Sequence, residues 1–301
     1  MGRAEDARDA SGARPALGVL LRARFEHAFS GALSSADLHA RCDADDRSEM
    51  LRIVRKSTKI GRALVRLAKG SVDAESIAGA ESLLRETSSL LAPLRDRDAI
   101  VATIGKLFAG RNDERARHVA DSLARVVLVA DDAADDLAFE LASVRRAAQT
   151  IAHIADAIGA WPLERIPDEA IVEGIVRSWR IVRRLTDEPL IDVDTETSHL
   201  IRRRCARLSL QLAAFEDVMP KRIRTLRRSL RAVTRSLGDE HDLELLAERM
   251  SLGRARIGSD AFANAALDLC RRARRRLRAG AAEAIGEERG LRPRELRAFL
   301  R

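Results

Sequence analysis

"LRIVRKSTKIGRALVRL", residues 51–67, carries Arg55, Lys59, Arg62 and Arg66 at intervals of four, three and four. Residues three and four apart share a helix face, so the four cations form one ridge about 16 Å long. Crowding like charges in this way costs helix stability, because each neighbouring pair repels. The pattern nevertheless returns: Arg224, Arg228, Arg231 and Arg235 follow the same spacing, with Lys221 one turn ahead. An unfavourable arrangement that occurs twice argues for helices that present a surface to an anion.

The rest of the composition agrees with helix almost throughout. Ala, Leu and Arg dominate the 301 residues, Tyr is absent, and Gly (17), Pro (7), Phe (7) and Trp (2) are scarce. The expected fold class is all-α, and a chain of this length buries a sizeable core without disulfides or a structural metal. Net charge is +8, from 54 basic and 46 acidic residues. That sign favours an anionic partner: nucleic acid, an acidic membrane surface or a polyanionic polymer. Cys42, Cys205 and Cys270 are widely spaced and form no CxxC pair, which argues against a disulfide framework or a zinc knuckle. No apolar run approaches the roughly 20 residues of a membrane span. The N-terminus lacks an export signal, so a cytoplasmic location is expected.

Punctuation by Gly, Pro and acidic clusters divides the chain. Residues 1–16 read as a flexible leader, 17–158 as a first helical half, 159–170 as a linker marked by Gly159, Pro162 and Pro167, and 171–299 as a second half. "CDADDRS" and "GSVD" read as a helix entrance and a helix end around the first basic helix, with a return helix over 76–91. In the second half, basic helices are expected over 198–215 and 221–236. Gly238 is then expected to end a helix, with Asp239 or Asp242 capping the next. "LLAPLRDRDAIVATI" (90–104) and "VTRSLGDEHDLELLAERM" (233–250) occupy matching stations, which suggests an internal repeat.

A third basic line joins His199, Arg203 and Arg207, flanked by Arg202 and Arg204; Arg177, Arg180 and Arg184, with Arg183 adjacent, add to it from the preceding helix. Arg presents paired donors in a rigid fork that matches phosphate oxygens. Trp179 and Phe215 are the only aromatic residues among these basic helices, too few for stacking on single-stranded bases. A helix-turn-helix reader needs polar groups that address base edges, which these ridges do not supply. Non-specific duplex binding stays open.

Catalytic signatures are missing. "GDEHDLE" gathers Asp239, Glu240, His241, Asp242 and Glu244, yet no HExxH or second carboxylate–histidine pair completes a metal site. The simpler expectation is a capping and salt-bridging role beside the ridge. His199 divides between structural hydrogen bonding and anion contact, and His27, His39, His118 and His153 have no informative partners. With no phosphate-cradling loop or nucleophile triad, the expectation is a protein that is not an enzyme and takes no cofactor.

The sequence resembles the CHAD family, the conserved histidine α-helical domain. The stretches that carry the resemblance are "LRIVRKSTKIGRALVRL", "LLAPLRDRDAIVATI", "SHLIRRRCARLSLQL" and especially "LGDEHDLELLAERM", with helical context from residue 17 to 299. The resemblance implies two similar four-helix bundles around a basic central surface, with inorganic polyphosphate as ligand. Its first basic motif falls on Arg55, Lys56, Lys59 and Arg62, and its second on His199, Arg202, Arg203 and Arg204. Arg52 stands where relatives carry a histidine, and Ala206 where they carry a lysine, with Arg207 as the compensating cation. The acidic knuckles "RDRD" and "GDEHD" are implied to pack near the basic helices. Many relatives adjoin a triphosphate hydrolase of the CYTH type, whose alternating acidic and basic strands find no match here. A binding module is implied, one that goes to polyphosphate granules or works beside a separate polyphosphate-metabolising enzyme. The alternative is a helical module that binds an acidic protein or nucleic acid.

Overall fold

The computed structural model describes residues 15–108, 123–124, 137–252 and 260–300, with backbone only for 45, 95–98 and 260–262. Ten α-helices make up these residues: α1 (Leu17–His39), α2 (Ala44–Leu64), α3 (Ala74–Leu90), α4 (Ala92–Phe108), α5 (Leu137–Gly159), α6 (Asp168–Leu185), α7 (Thr195–Ala213), α8 (Lys221–Leu252), α9 (Asp260–Gly286) and α10 (Pro293–Leu300). The fold is all-α, with no strand among the described residues. The sequence pattern also predicts a helix over 114–128, which lies outside the described residues apart from Leu123 and Ala124. No helix among them is long and apolar enough to cross a membrane.

Local chemistry explains where the helices that matter begin. Asp43 caps α2 by accepting from the Asp46 amide, Asp73 caps α3 through the Ser76 amide at 2.8 Å, and Asp194 caps α7 through the Thr197 amide at 2.8 Å. Each carboxylate satisfies an amide that has no partner inside the helix and lies at the positive end of the helix dipole. A turn of 3-10 helix, Val65–Leu67, prolongs α2 and carries Arg66. Gly70, at φ 96°, then reverses the chain toward α3, in a conformation that side chains disfavour.

Packing joins sequence neighbours and distant helices alike, and three features of it shape the molecule. α1, α2, α3 and α5 pack on one another, and α6, α7, α8, α9 and α10 form a second group; α2 crosses α7 and joins the two. α4 leaves its sequence neighbours and packs against α8 and α9. The segment 159–170 is seated firmly: Trp161, Leu163 and Ile166 are buried, the Leu17 amide donates to Asp168 Oδ1 at 2.8 Å, and a Cβ on Gly18 would stand 2.3 Å from the Leu163 carbonyl oxygen. One apolar core therefore runs from Leu17 to Leu300, and a smaller one, with Ile100, Ile104, Leu243, Leu246, Met250 and Cys270, lies under α4, α8 and α9.

One helix boundary differs from expectation. α8 continues for 32 residues through Gly238, so neither Asp239 nor Asp242 caps a new helix there. Gly238 is buried and does not adopt the left-handed conformation that ends helices. Leu226, Leu230, Val233 and Leu237 before it are buried in the larger core and Leu243, Leu246 and Met250 after it in the smaller one, and burial on both sides outweighs the intrinsic helix cost of glycine, about 1 kcal/mol. At the corresponding station earlier in the chain, Leu91 separates α3 from α4, with Pro93 in the first turn of α4.

Candidate functional site

The α2–α7 crossing gathers a cluster of positive charge. Gln211, buried on α7, donates its Nε2 to the Ala63 carbonyl at 3.0 Å and fixes α7 against the end of α2. Gly61 lets α2 come close to its other neighbours: a Cβ there would lie 3.0 Å from the Phe29 ring and 3.2 Å from Leu84. With α2 held in this way, Arg62 and Arg66 face Arg203, Arg204 and Arg207 of α7, and Arg85 of α3 joins them.

Guanidinium groups act strongly on one another in this cluster. Burial, then Arg66 and Arg204, push the Arg207 guanidinium down to about 10, and Glu81 opposes only in part. Arg204 is lowered by burial and by Arg66 and Arg203. Arg62 is lowered by burial and then by Arg85 and Arg66. Glu81 is the carboxylate set against the group, at 2.7 Å from Arg66 Nε. Arg62 also reaches the Ser88 hydroxyl, at 3.5 Å. Cations that raise one another's charging cost in this way favour a polyanion, which removes the repulsion when it binds.

Other expected site residues lie elsewhere. Arg52 turns back onto Glu49, at 2.5 and 2.6 Å, on an exposed stretch of α2. Lys56 and Lys59 are exposed on the same helix and Arg55 is half-buried. Arg202 points away from the cluster: its guanidinium covers Gly238, about 3.5 Å from where a Cβ would be, and acts on His241. The contacts Thr195–Glu244, Ser198–Glu240 and Arg202–Gly238 show α7 and α8 running antiparallel. Arg224, Arg228, Arg231 and Arg235 are exposed along α8, beginning one turn from the Arg202 level. Arg224 donates to the Met219 carbonyl at 3.2 Å and Arg228 to the Thr225 hydroxyl at 3.1 Å. On α6, Arg180 is engaged by Glu173 at 2.7 Å. His199 faces His241 and Glu244 instead of the arginines in register with it.

Two of the "GDEHD" acids hold cations outside the ridge. Asp239 pairs with Lys106 of α4 at 2.7 Å, and buried Glu240 takes Arg274 and Arg278 of α9 at 2.7 and 3.1 Å. The side chains of "RDRD" lie outside the described residues. Two basic features were missed in the sequence. Arg85 sits alone in "SLLRETSSL" and gives no periodic signal. Arg271, Arg274, Arg275 and Arg278 have helical spacing and line a cleft of about 440 Å³ with Asp194 and Thr195. Their run, "RRARRRLR", was legible as a stripe but lies apart from the basic motifs of α2, α7 and α8.

Comparison with known families decides the assignment. The CHAD domain profile matches residues 25–251, well over half of the chain. The chain belongs to the CHAD family. Both members of the α2–α7 crossing lie inside the matched region, as does the α8 ridge; in this CHAD protein the cleft on α9 lies beyond it. No curated protein matches the CHAD chain.

Proposed function

We propose that the protein binds inorganic polyphosphate without hydrolysing it, through the arginine cluster at the α2–α7 crossing and the exposed ridge of α8. The observation that carries this reading is the gathering of Arg62, Arg204 and Arg207 around Arg66, which together with burial lowers all three. An extended chain of phosphates takes up such charge one or two groups at a time through paired N–H donors. Neighbouring phosphates hold the chain in place when one contact opens, so affinity rises with chain length. Counterion release makes it fall with salt.

Trp179 and Phe215 bear on the choice of polyanion. Both are buried in the core, and the Trp179 indole N–H is spent on the Leu291 carbonyl at 3.0 Å. Neither offers a platform for a base, which favours an inorganic polymer over single-stranded nucleic acid. On this reading the protein associates with polyphosphate granules and acts beside a separate polyphosphate-metabolising enzyme.

The test is calorimetric titration of nucleic-acid-free protein with short and long polyphosphate and with duplex DNA at matched phosphate, alongside an assay for released phosphate. Tighter binding of long polyphosphate than of DNA, with no phosphate release, supports the proposal. Equal or stronger DNA binding favours a nucleic-acid module, phosphate release a hydrolase, and no binding to either an acidic protein partner.

A further inference from the structure

The "GDEHDLE" sequence lacks the partner that would complete a metal site, but α7 supplies one. His199 Nε2 lies 3.4 Å from Glu244 Oε2, and His241 Nδ1 lies 3.6 Å from the same oxygen. One ligand atom from each of the three residues falls within 4.8 Å of the others, and the two imidazoles meet edge to face at 4.2 Å between centroids. Both nitrogens are buried and neither has a hydrogen-bond partner. Two buried ring nitrogens directed at one carboxylate oxygen, each too far from it for a good hydrogen bond, are costly unless something sits between them.

The spacing identifies what fits. Tetrahedral zinc, with Zn–N and Zn–O bonds near 2.0–2.2 Å, holds its ligand atoms roughly 3.3 Å apart. The two measured edges are close to that value. We propose that His199, His241 and Glu244 form a binding site for a zinc-class divalent transition-metal ion, bridging α7 and α8. Two imidazoles with one carboxylate select such an ion over calcium or magnesium, which prefer oxygen alone. Three protein ligands leave a coordination position for water or an oxygen of an anionic ligand.

The surroundings are arranged as metal sites arrange them. Glu244 Oε1 accepts from the Thr195 hydroxyl at 2.7 Å and from Arg274 at 2.9 Å, which orients the carboxylate and leaves Oε2 for the ion. Asp242 adds negative charge beside His241. The Arg274 cation, which would repel a dication, is compensated at 2.7 Å by Glu240. The site assigns His199 to metal ligation in place of direct phosphate contact, and it is independent of whether the protein binds polyphosphate.

The experiment is a titration of the chelator-treated full-length protein with Co2+ alone, read by the visible absorption of tetrahedral cobalt, followed by displacement with Zn2+. One Co2+ per chain with a tetrahedral spectrum, displaced by Zn2+, is expected. His199→Ala and His241→Ala should each weaken binding by on the order of a hundredfold or more, and Thr195→Ala, which only positions Glu244, by about tenfold. His153→Ala, on the exposed face of α5, should change nothing. Zn2+ should raise the melting temperature of the wild type but not of the double variant His199→Ala/His241→Ala. Absence of stoichiometric binding to the wild type, or binding that survives the double variant, would overturn the proposal. Polyphosphate is left out of every step, so the outcome is separate from that of the polyphosphate titration.

Discussion

Arg207 of α7 lies against Arg66 in the turn after α2, and apart from burial this neighbour does most to push the Arg207 guanidinium down to about 10. A cation whose folded pKa is lowered is disfavoured as a charged group by the fold. The unfolded chain keeps that proton to a higher pH, so stability climbs as pH rises through the window above about 10. At neutral pH the group is charged and the cost is present. The fold tolerates an arrangement that a bound anion relieves.

Arg207→Met should therefore stabilise the unliganded protein and weaken polyanion binding together. The gain, discounted for partial exposure, is on the order of 1 kcal/mol, or roughly 2 °C in melting temperature for a chain of this size. Thermal denaturation with and without long polyphosphate checks both halves, since ligand-induced stabilisation should shrink as intrinsic stability rises.

Glu81→Gln removes the carboxylate paired with Arg66 at 2.7 Å. Stability should fall by no more than about 1 kcal/mol, as expected for a partly exposed pair. Affinity for polyphosphate should rise several-fold, because a competitor for the arginines has gone. Parallel titrations of wild type and variant at one salt concentration measure it.

The exposed α8 ridge should matter only for ligands long enough to leave the crossing. Arg228→Glu combined with Arg231→Glu is expected to weaken long polyphosphate at least tenfold while leaving a short oligomer nearly unaffected. The salt dependence for the long chain should also become shallower, by about 0.7–0.9 in log–log slope for each phosphate that the variant no longer neutralises. Equal weakening for both lengths would place these arginines in the primary site.

Gly61→Val introduces a side chain where even a Cβ would meet the Phe29 ring at 3.0 Å and Leu84 at 3.2 Å. Overpacking of this kind costs about 1–3 kcal/mol. Chemical denaturation should register the loss, and polyphosphate affinity should fall with it as α2 is displaced from the crossing.

Much of this architecture was legible because it rests on local rules. The helix entrance in "CDADDRS", where Asp43 caps α2, and the periodicity of the Arg-rich helices follow from spacing alone. Features that depend on tertiary contact were not legible. Gly238 looked like a terminator because nothing in its neighbourhood shows that the helix goes on into a second core, or that Arg202 covers the glycine. Arg85 enters the cluster only because α3 packs on α2, and His199 leaves its own arginine line because α8 offers His241 and Glu244 across the interface. Periodicity tells which side chains share a helix face, and helix packing decides what that face meets.

In the proposed function the arginines of the α2–α7 crossing form the polyanion site. The sharpest check is the affinity for long polyphosphate of the double variant Arg62→Glu/Arg203→Glu relative to wild type, with the helical spectrum of both recorded. Clamping at the crossing predicts a loss of at least a hundredfold with the spectrum unchanged. Wild-type affinity in a folded double variant would contradict it and move the site off the crossing.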